Sequence, residues 1–174
     1  MPRKPRLALT GYAHHVTNRG NDRRQLFFQA GDYREFLQLM IEGRQRYNVT
    51  VFGLCIMPNH VHALIRPNQD DELSAYLQWV LGRYACNYRS ITGTVGHGHV
   101  FQRRYWSDVV RDERQLVSVL RYIEANPVRA GLVPSAERWP WSSISMRPTH
   151  GTLLDPVPLE LGAGWLEFVN APQR

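Results

Sequence analysis

Two histidines separated by one residue, His60 and His62, are the pair in this 174-residue chain best suited to chemistry. They follow a turn signal at Pro58-Asn59 and stand in a run of β-forming residues, so we predict that they lie on a strand. Side chains two apart on a strand share one face, roughly 6–7 Å apart, and two imidazoles at that distance can bind one divalent ion. Val61 then points into the core. The same pattern also fits a surface histidine beside a core histidine.

A tyrosine and an asparagine four residues apart, Tyr122 and Asn126, could complete such a site. Their spacing puts both on one face of a predicted helix whose apolar residues point elsewhere. A phenol is a poor nucleophile at its ordinary pKa of about 10. A divalent ion held by two imidazoles and an amide oxygen can polarise a phosphodiester and orient it for in-line attack, which predicts a phosphotyrosyl product.

Each of these two residues has a simpler interpretation. Tyr122 also fits an amphipathic residue at the margin of the apolar stripe, and Asn126 also fits a helix-ending residue before proline. Tyr105 is a rival nucleophile, because it lies beside a basic cluster that could line the same groove.

The charge of the chain favours a nucleic-acid partner. Lys and Arg total 21 against 15 Asp and Glu, which gives a net charge of +6 and an isoelectric point near 9.7. All basic residues but Lys4 are arginine, whose planar fork binds phosphate bidentately. A GC-rich genome would also favour arginine, so the placement of the residues is more informative. Basic residues crowd the first 24 positions, and Arg103-Arg104 adjoin Tyr105-Trp106, where rings could stack on bases.

The composition, with 43% hydrophobic and 21% charged residues, is that of an ordinary globular protein. The apolar runs are far shorter than the ~20 residues that cross a bilayer, and no signal-peptide core follows the basic N-terminus. Cys55 and Cys86 lack metal-like spacing, and we predict that both are reduced core thiols. We therefore expect a cytoplasmic protein, with one domain over residues 1–145 and an irregular C-terminal extension over 146–174.

The predicted elements alternate in the order β-α-β-β-α-β-α, which indicates an α+β fold with an antiparallel sheet covered by helices on one face. Asp32 with Glu35 predicts a capping box that opens the first helix. Asp112 with Gln115 predicts another at the start of the last helix. That helix is predicted to end at Asn126-Pro127, because proline cannot continue the hydrogen-bond ladder.

Five ordered blocks, spread over most of the chain, resemble the single-tyrosine HUH transposases and, within them, the REP-associated branch. The blocks are HVTNRGN (15–21), MPNHVHALI (57–65), GHVFQRRY (98–105), RYIEANPVRAG (121–131) and WSS (141–143). The resemblance implies a ferredoxin-like, RRM-like HUH endonuclease core with the histidine pair on a central strand. It also implies a magnesium or manganese ion, and nicking and joining of single-stranded DNA at hairpin-forming palindromic repeats through a 5′-phosphotyrosine.

By motif position, the resemblance implies that His60, His62 and Asn126 are metal ligands and that Tyr122 is the nucleophile. Asn126 stands where insertion-sequence relatives carry glutamine, which is one methylene longer. The residues expected to bind the DNA strand are Arg3, Lys4, Arg6, His15, Arg19, Arg23, Arg103 and Arg104.

Two other functions fit the same residues. One is a domesticated protein that binds repeat hairpins without cutting them, and the other is a metal phosphodiesterase that uses water. The extended tail favours a monomer with its site built in cis over a homodimer that exchanges the nucleophile helix.

Overall fold

A four-stranded antiparallel sheet forms the centre of the structure, a computed structural model that describes residues 9–96, 98–102, 104–147 and 151–172. Its strands pair in the order β2-β3-β1-β4. They are β1 (Ala13–Arg19), β2 (Val49–Met57), β3 (His60–Pro67) and β4 (Trp106–Val110). With one helix after β1 and one after β3, this is the ferredoxin-like β-α-β-β-α-β arrangement. The predicted α+β class and antiparallel sheet are confirmed.

Helices cover both faces of this sheet, whereas the sequence predicts a cover on one face. The helices are α1 (Ala30–Arg44), α2 (Glu72–Thr92), α3 (Glu113–Arg129), α4 (Ser143–Met146) and α5 (Trp165–Asn170). Helices α1 and α2 share a core with Val61 and Ala63 of β3, and α3 shares another with Leu64. Since β2 is buried along nearly its whole length, both of its faces need a cover. The placement on one face is therefore wrong for α3.

A glycine in β2 lets α3 come close to the sheet. A Cβ at Gly53 would lie 2.5 Å from Cδ1 of Leu120 in α3, a distance that real Cβ atoms do not show. The pairing of β2 with β3 shifts register between Val51 and Gly53, where the strand is irregular. The missing side chain thus fixes how closely α3 packs against the face that carries His60 and His62.

Helix α3 begins as the sequence predicts. Asp112 is its N-cap and accepts the backbone N–H of Gln115 at 2.8 Å. The Gln115 side-chain oxygen in turn accepts a hydrogen bond from the backbone N–H of Arg111 at 2.7 Å. The capping pair predicted at Asp112 and Gln115 is confirmed, with the return bond made to Arg111, the residue before the N-cap.

The end of α3 differs from the prediction, because the helix continues through Pro127 to Arg129. Proline removes one backbone donor, but helical bonding persists beyond it, from the N–H of Ala130 to the oxygen of Asn126 at 2.9 Å. The helix ends at Arg129, and Gly131 just beyond the C-cap has a φ of +68°, which suits a residue without a side chain. The predicted stop at Asn126-Pro127 is therefore wrong by about one turn.

Helix α1 also begins differently from the prediction. Its N-cap is Gln29, and Asp32 lies inside the first turn, where its carboxylate accepts the backbone N–H of Phe28 at 2.7 Å and that of Gln29 at 3.1 Å. Glu35 instead accepts a hydrogen bond from Asn87 of α2. The predicted Asp32–Glu35 capping box is wrong because the helix starts before Asp32 and uses it at the third helical position.

The two cysteines occupy different environments. Cys55 is fully buried in β2, as predicted, whereas Cys86 is exposed on α2. Both are free thiols. The prediction of a core position is wrong for Cys86, because it lies on the solvent side of a helix that buries Tyr84 instead.

The C-terminal extension packs onto α3. The sequence predicts no regular structure there, yet Trp165–Asn170 forms α5. A fully buried carboxylate joins these parts. Glu124 of α3 accepts hydrogen bonds from Oγ of Ser143 at 2.5 Å, Nη2 of Arg147 at 2.7 Å and Nε1 of Trp165 at 2.7 Å. We call these four residues the Glu124 cluster.

A second contact ties α5 to the same helix. The Arg121 guanidinium lies 4.1 Å above the ring of Phe168 and donates to the Phe168 carbonyl at 2.8 Å. It also donates to the carbonyl of Ala171 at 3.0 Å. The helix that carries Tyr122 is thus held from the side away from the sheet by residues of the extension.

Candidate active site

His60 and His62 project from β3 onto the face that α3 covers. Their ring centroids are 4.9 Å apart, and the rings are nearly perpendicular. Val61 between them is buried among the residues of α1 and α2, as strand alternation requires. His62 is buried and His60 half-buried. The predicted strand position and shared face of the two histidines are therefore present in the structure.

Each of these imidazoles is held at its Nδ1 atom. Nδ1 of His62 lies 3.1 Å from Nε2 of His15 and 3.0 Å from Oγ1 of Thr17, both on the neighbouring strand β1. Nδ1 of His60 lies 2.6 Å from Oδ1 of Asn59. Within the described part of the chain, neither Nε2 atom of the pair takes part in a hydrogen bond. Histidines that bind metals are commonly oriented in this way, with one nitrogen hydrogen-bonded and the other directed to the ion.

Tyr122 of α3 stands over the histidines. Its ring centroid is 5.5 Å from that of His62 and 5.7 Å from that of His15, in both cases edge to face. The Arg129 guanidinium lies 4.7 Å from the Tyr122 ring centroid on the same helix. The structure therefore brings the predicted nucleophile together with the predicted metal-binding pair and adds a cation next to the phenol.

Asn126 lies one turn beyond Tyr122 and is buried. Its Nδ2 donates to the Tyr122 carbonyl at 3.0 Å, so the nitrogen of the carboxamide is turned back along the helix. No hydrogen bond among the described residues joins Asn126 to His60 or His62. Its role as a metal ligand stays a prediction.

Tyr105, the rival nucleophile, lies in the core that α1 and α2 share with the sheet. It is 8% exposed, and its hydroxyl is hydrogen-bonded to Oγ of Ser74 in α2 at 2.8 Å. The histidine pair faces the other side of the sheet, so the geometry favours Tyr122 as the attacking residue.

The residues predicted to bind DNA fall into three groups. Arg3, Lys4, Arg6 and Arg103 lie outside the described residues. Arg23 is exposed in a short 3-10 turn after β1, and Arg104 is exposed at a cleft of about 930 Å³ beside α2. Arg19 and His15 lie in or near the site itself, where His15 contacts His62 directly.

Three residues near the site were not predicted as site residues. Thr17 contacts His62, Trp106 is 50% exposed with its ring 6.1 Å from His15, and Arg129 contacts Tyr122. Arg129 follows Tyr122 by seven residues, or two helical turns, and this spacing could have predicted their contact. The predicted helix end before Pro127 hid it.

Burial keeps both histidines of the pair neutral. Desolvation, aided by the charge of Arg19, lowers the pKa of His60 to about 4. Desolvation is also the main cause for His62, and the charges of His60, His15, Arg19 and Arg129 add to it, so the pKa of His62 falls to about 2. Neutral imidazole is the form that binds metal ions. The pair therefore stays competent as a ligand well below neutral pH.

These shifts predict that the free energy of unfolding falls as the pH is lowered from about 6.5 towards 4. In that window the unfolded chain protonates its histidines, whereas folded His60 resists until about pH 4, so the unfolded state binds more protons. Chemical denaturation in EDTA across this range should show a shallower pH dependence for His60→Gln than for the wild type. His99→Gln, which removes an exposed histidine instead, is the matched comparison. Equal slopes for all three proteins would contradict the prediction.

The side chains of this group could supply some, but not all, of the ligands that a divalent metal ion needs. Among the described residues, no set of three or more His, Cys, Asp or Glu side chains converges as metal ligands. Two neutral imidazoles with outward Nε2 atoms can nevertheless hold a divalent ion whose other ligands are amide, water or phosphate oxygens. Mg²⁺ in particular keeps several waters and binds substrate phosphates.

Comparison with known proteins identifies the family of this chain. The family described as "Transposase IS200 like" matches residues 8–126, more than half of the chain. The chain belongs to the IS200-like transposase family. A Haemophilus influenzae relative, whose name assigns it to the REP-associated tyrosine transposases, is 31% identical over 122 residues, which cover 65% of this chain and 69% of that protein.

Two further comparisons concern a second relative of this IS200-like transposase and a solved structure of the same fold. The REP-associated tyrosine transposase of Escherichia coli K12 is 24% identical over 137 residues, or 78% of each chain. A solved structure described as a REP-associated tyrosine transposase bound to a REP hairpin has the same fold, with a TM-score of 0.68 over 94% of this chain and 96% of that one, at 20% identity. The predicted family is confirmed. None of the described helices of this transposase is both long and apolar enough to span a membrane.

Proposed function

We propose that this IS200-like transposase is a metal-dependent single-stranded DNA endonuclease and strand transferase that acts through a 5′-phosphotyrosine at Tyr122. The observation that carries the proposal is the contact of the Tyr122 ring with His62, whose own ring adjoins that of His60, within one chain. The family match spans these residues, and their motif positions in the sequence predict the same roles.

The proposed reaction is an in-line exchange of one ester oxygen for another. The Tyr122 oxygen attacks the phosphorus, the bond from phosphorus to the 3′-oxygen breaks, and the phenol proton passes overall to the departing 3′-oxygen. A 3′-hydroxyl can later attack the phosphotyrosine in the reverse sense, which rejoins the DNA. A Mg²⁺ or Mn²⁺ ion would supply Lewis-acid polarisation of the phosphate when bound.

The described residues have distinct parts in this reaction. His60 and His62 would hold the ion through Nε2, since their Nδ1 atoms are engaged with neighbours. Arg129 places positive charge 4.7 Å from the Tyr122 ring, where negative charge develops as the phenol loses its proton. Exposed Arg23 and Arg104 suit phosphate contacts that position the strand.

The proposed substrate is single-stranded DNA that contains a hairpin-forming palindromic repeat. The relatives are named for REP association, and the solved structure of the same fold is described as bound to a REP hairpin. The net charge of +6 supports a nucleic-acid partner.

The test uses one repeat hairpin oligonucleotide labelled in separate samples at its 3′ and 5′ ends. With Mn²⁺ or Mg²⁺, the 3′ label should migrate with the denatured protein while the 5′ label is released on the cut fragment, and EDTA should abolish both. Free labels at both ends would identify a phosphodiesterase that uses water. Tight binding without any cleavage in either metal would identify a hairpin-binding protein.

Trp106→Ala is expected to weaken binding of single-stranded DNA by about 1–3 kcal/mol, because an exposed indole beside the site can stack on an unpaired base. Trp106 is 50% exposed and edge-on to His15, so its ring is accessible from solvent next to the nucleophile. Fluorescence anisotropy in EDTA measures the affinity without cleavage. Trp106→Phe should retain much of the binding, and an Ala variant as tight as the wild type would refute a stacking role.

A further inference from the structure

Three polar side chains follow one another across the sheet, from β4 through β1 to β3. His15 of β1 stands opposite Asp108 in β4, and its Nε2 lies 3.1 Å from Nδ1 of His62 in β3. Since β1 lies between the other two strands, Asp108 and His62 are on opposite sides of His15. The array therefore runs from a carboxylate through one imidazole to a second, which belongs to the histidine pair of the site.

The contact between His15 and His62 has the geometry of a hydrogen bond in the ring planes. The ring planes differ by 26°, and the centroids are 5.2 Å apart. The two ring centroids are farther apart than the two nitrogens by about the width of one imidazole ring. This is the arrangement of two rings that meet edge to edge. A lone pair on one nitrogen thus meets an N–H of the other along the direction that hydrogen bonds prefer.

We propose that His15 is a positioning residue that accepts the Nδ1–H of His62 and so fixes the tautomer in which the Nε2 lone pair of His62 faces the site. This inference rests on the proposed function, because an outward lone pair matters for holding the metal ion. Nothing in the family match or in the relatives' names assigns a role to His15.

The direction of this hydrogen bond follows from the charges on either side. A neutral imidazole has one N–H and one lone pair, so two neutral rings that share a proton must take complementary roles. Asp108 stands directly opposite His15 on β4, on the side away from His62, so its carboxylate favours an N–H on the His15 nitrogen that faces away from His62. The His15 nitrogen that faces His62 is then an acceptor, and His62 must donate.

Thr17 supports the same arrangement without deciding it. Its Oγ1 lies 3.0 Å from Nδ1 of His62, and a hydroxyl can rotate either to accept from that nitrogen or to donate to it. Of these two partners of Nδ1, His15 is the one that stands opposite a carboxylate, that of Asp108. In the reversed arrangement, His62 would carry its proton on Nε2, which removes the lone pair that a metal ion needs.

The experiment compares His15→Leu with His15→Gln in the full chain. The carboxamide oxygen of glutamine can accept a hydrogen bond near the position of Nε2, whereas leucine offers no acceptor. Nitrogen-15 spectra of the histidine side chains in EDTA report the tautomer of His62, with His62→Gln used to assign its signals. The Nδ1–H form is expected in the wild type and in His15→Gln, and a shift towards the Nε2–H form in His15→Leu.

Affinity for Mn²⁺ in the absence of DNA is the second readout. Loss of the acceptor should weaken Mn²⁺ binding about 10–100-fold in His15→Leu, as is usual for residues that orient metal ligands, and His15→Gln should restore most of it. Asp108→Asn should shift the tautomer and the affinity in the same direction by a smaller amount. Because Asp108 is exposed, Asp108→Asn should fold normally, so it still tests the inference if His15→Leu fails to fold.

Two results would overturn the inference: a wild-type His62 protonated on Nε2, or equal Mn²⁺ affinity and equal tautomer in the Leu and Gln variants. Different results would refute the proposed function. A wild type that binds no Mn²⁺ or forms no covalent adduct would refute it, whereas the spectrum in EDTA would still decide what His15 does to His62.

Discussion

Tyr122→Phe is expected to abolish covalent attachment to DNA, a loss on the order of 10⁴-fold or more, because the variant has no oxygen to attack the phosphorus. The phenyl ring keeps the edge contacts with His15 and His62 and the contact with the Arg129 guanidinium. The fold and the affinity for hairpin DNA should therefore be unchanged. Denaturing electrophoresis with a 3′-labelled hairpin measures the adduct.

Tyr105→Phe is the matched control, because it removes the hydroxyl of the rival tyrosine. It loses the hydrogen bond to Ser74 and should cost about 1 kcal/mol of stability, with adduct formation retained. If the adduct persists in Tyr122→Phe and disappears in Tyr105→Phe, the assignment of the nucleophile is wrong.

Glu124→Ala is expected to have the largest effect on stability, lowering the free energy of unfolding by about 3 kcal/mol, near the lower end of the range for a broken buried ion pair. The substitution leaves the donors of Ser143, Arg147 and Trp165 without their acceptor. Partial exposure of the Arg147 side chain, at 24%, places the expected loss near that lower end. For a chain of this size the melting temperature should fall by about 6–12 °C.

Glu167→Ala provides the comparison. This substitution also replaces a glutamate by alanine, but Glu167 is exposed on α5 and lies outside the Glu124 cluster. Its melting temperature should stay close to that of the wild type. A Glu124→Ala protein as stable as Glu167→Ala would show that the cluster does not hold the extension against α3. Adduct formation measured well below both melting temperatures would then show whether the cluster also places Tyr122.

The sequence predicts the parts of the fold that depend on local signals. Strand alternation puts His60 and His62 on one face, and the capping pair at Asp112 and Gln115 marks the start of α3. Both follow from residues a few positions apart. The order of elements predicts an α+β fold with an antiparallel sheet, whereas the ferredoxin-like arrangement is what the resemblance to the HUH transposases implies.

Features that depend on packing are not visible in the sequence. Pro127 is a strong local stop signal, yet contacts of α3 with the sheet and the extension carry the helix past it, and the error hides Arg129. The role of His15 depends on the register that places Thr17 opposite His62. A shift of one residue would turn His15 to the other face of the sheet, and no local pattern in β1 specifies that register.

The Glu124 cluster links the site to the order in which the chain is synthesised. The helix that carries Tyr122 leaves the ribosome before Ser143, Arg147 and Trp165, the three residues that satisfy its buried carboxylate. Because chains fold from the N-terminus as they emerge, a nascent chain can contain both histidines and the tyrosine while the nucleophile helix is still unanchored. The buried carboxylate of this helix therefore has its full set of donors only after Trp165 has emerged, later than the sheet that carries the two histidines.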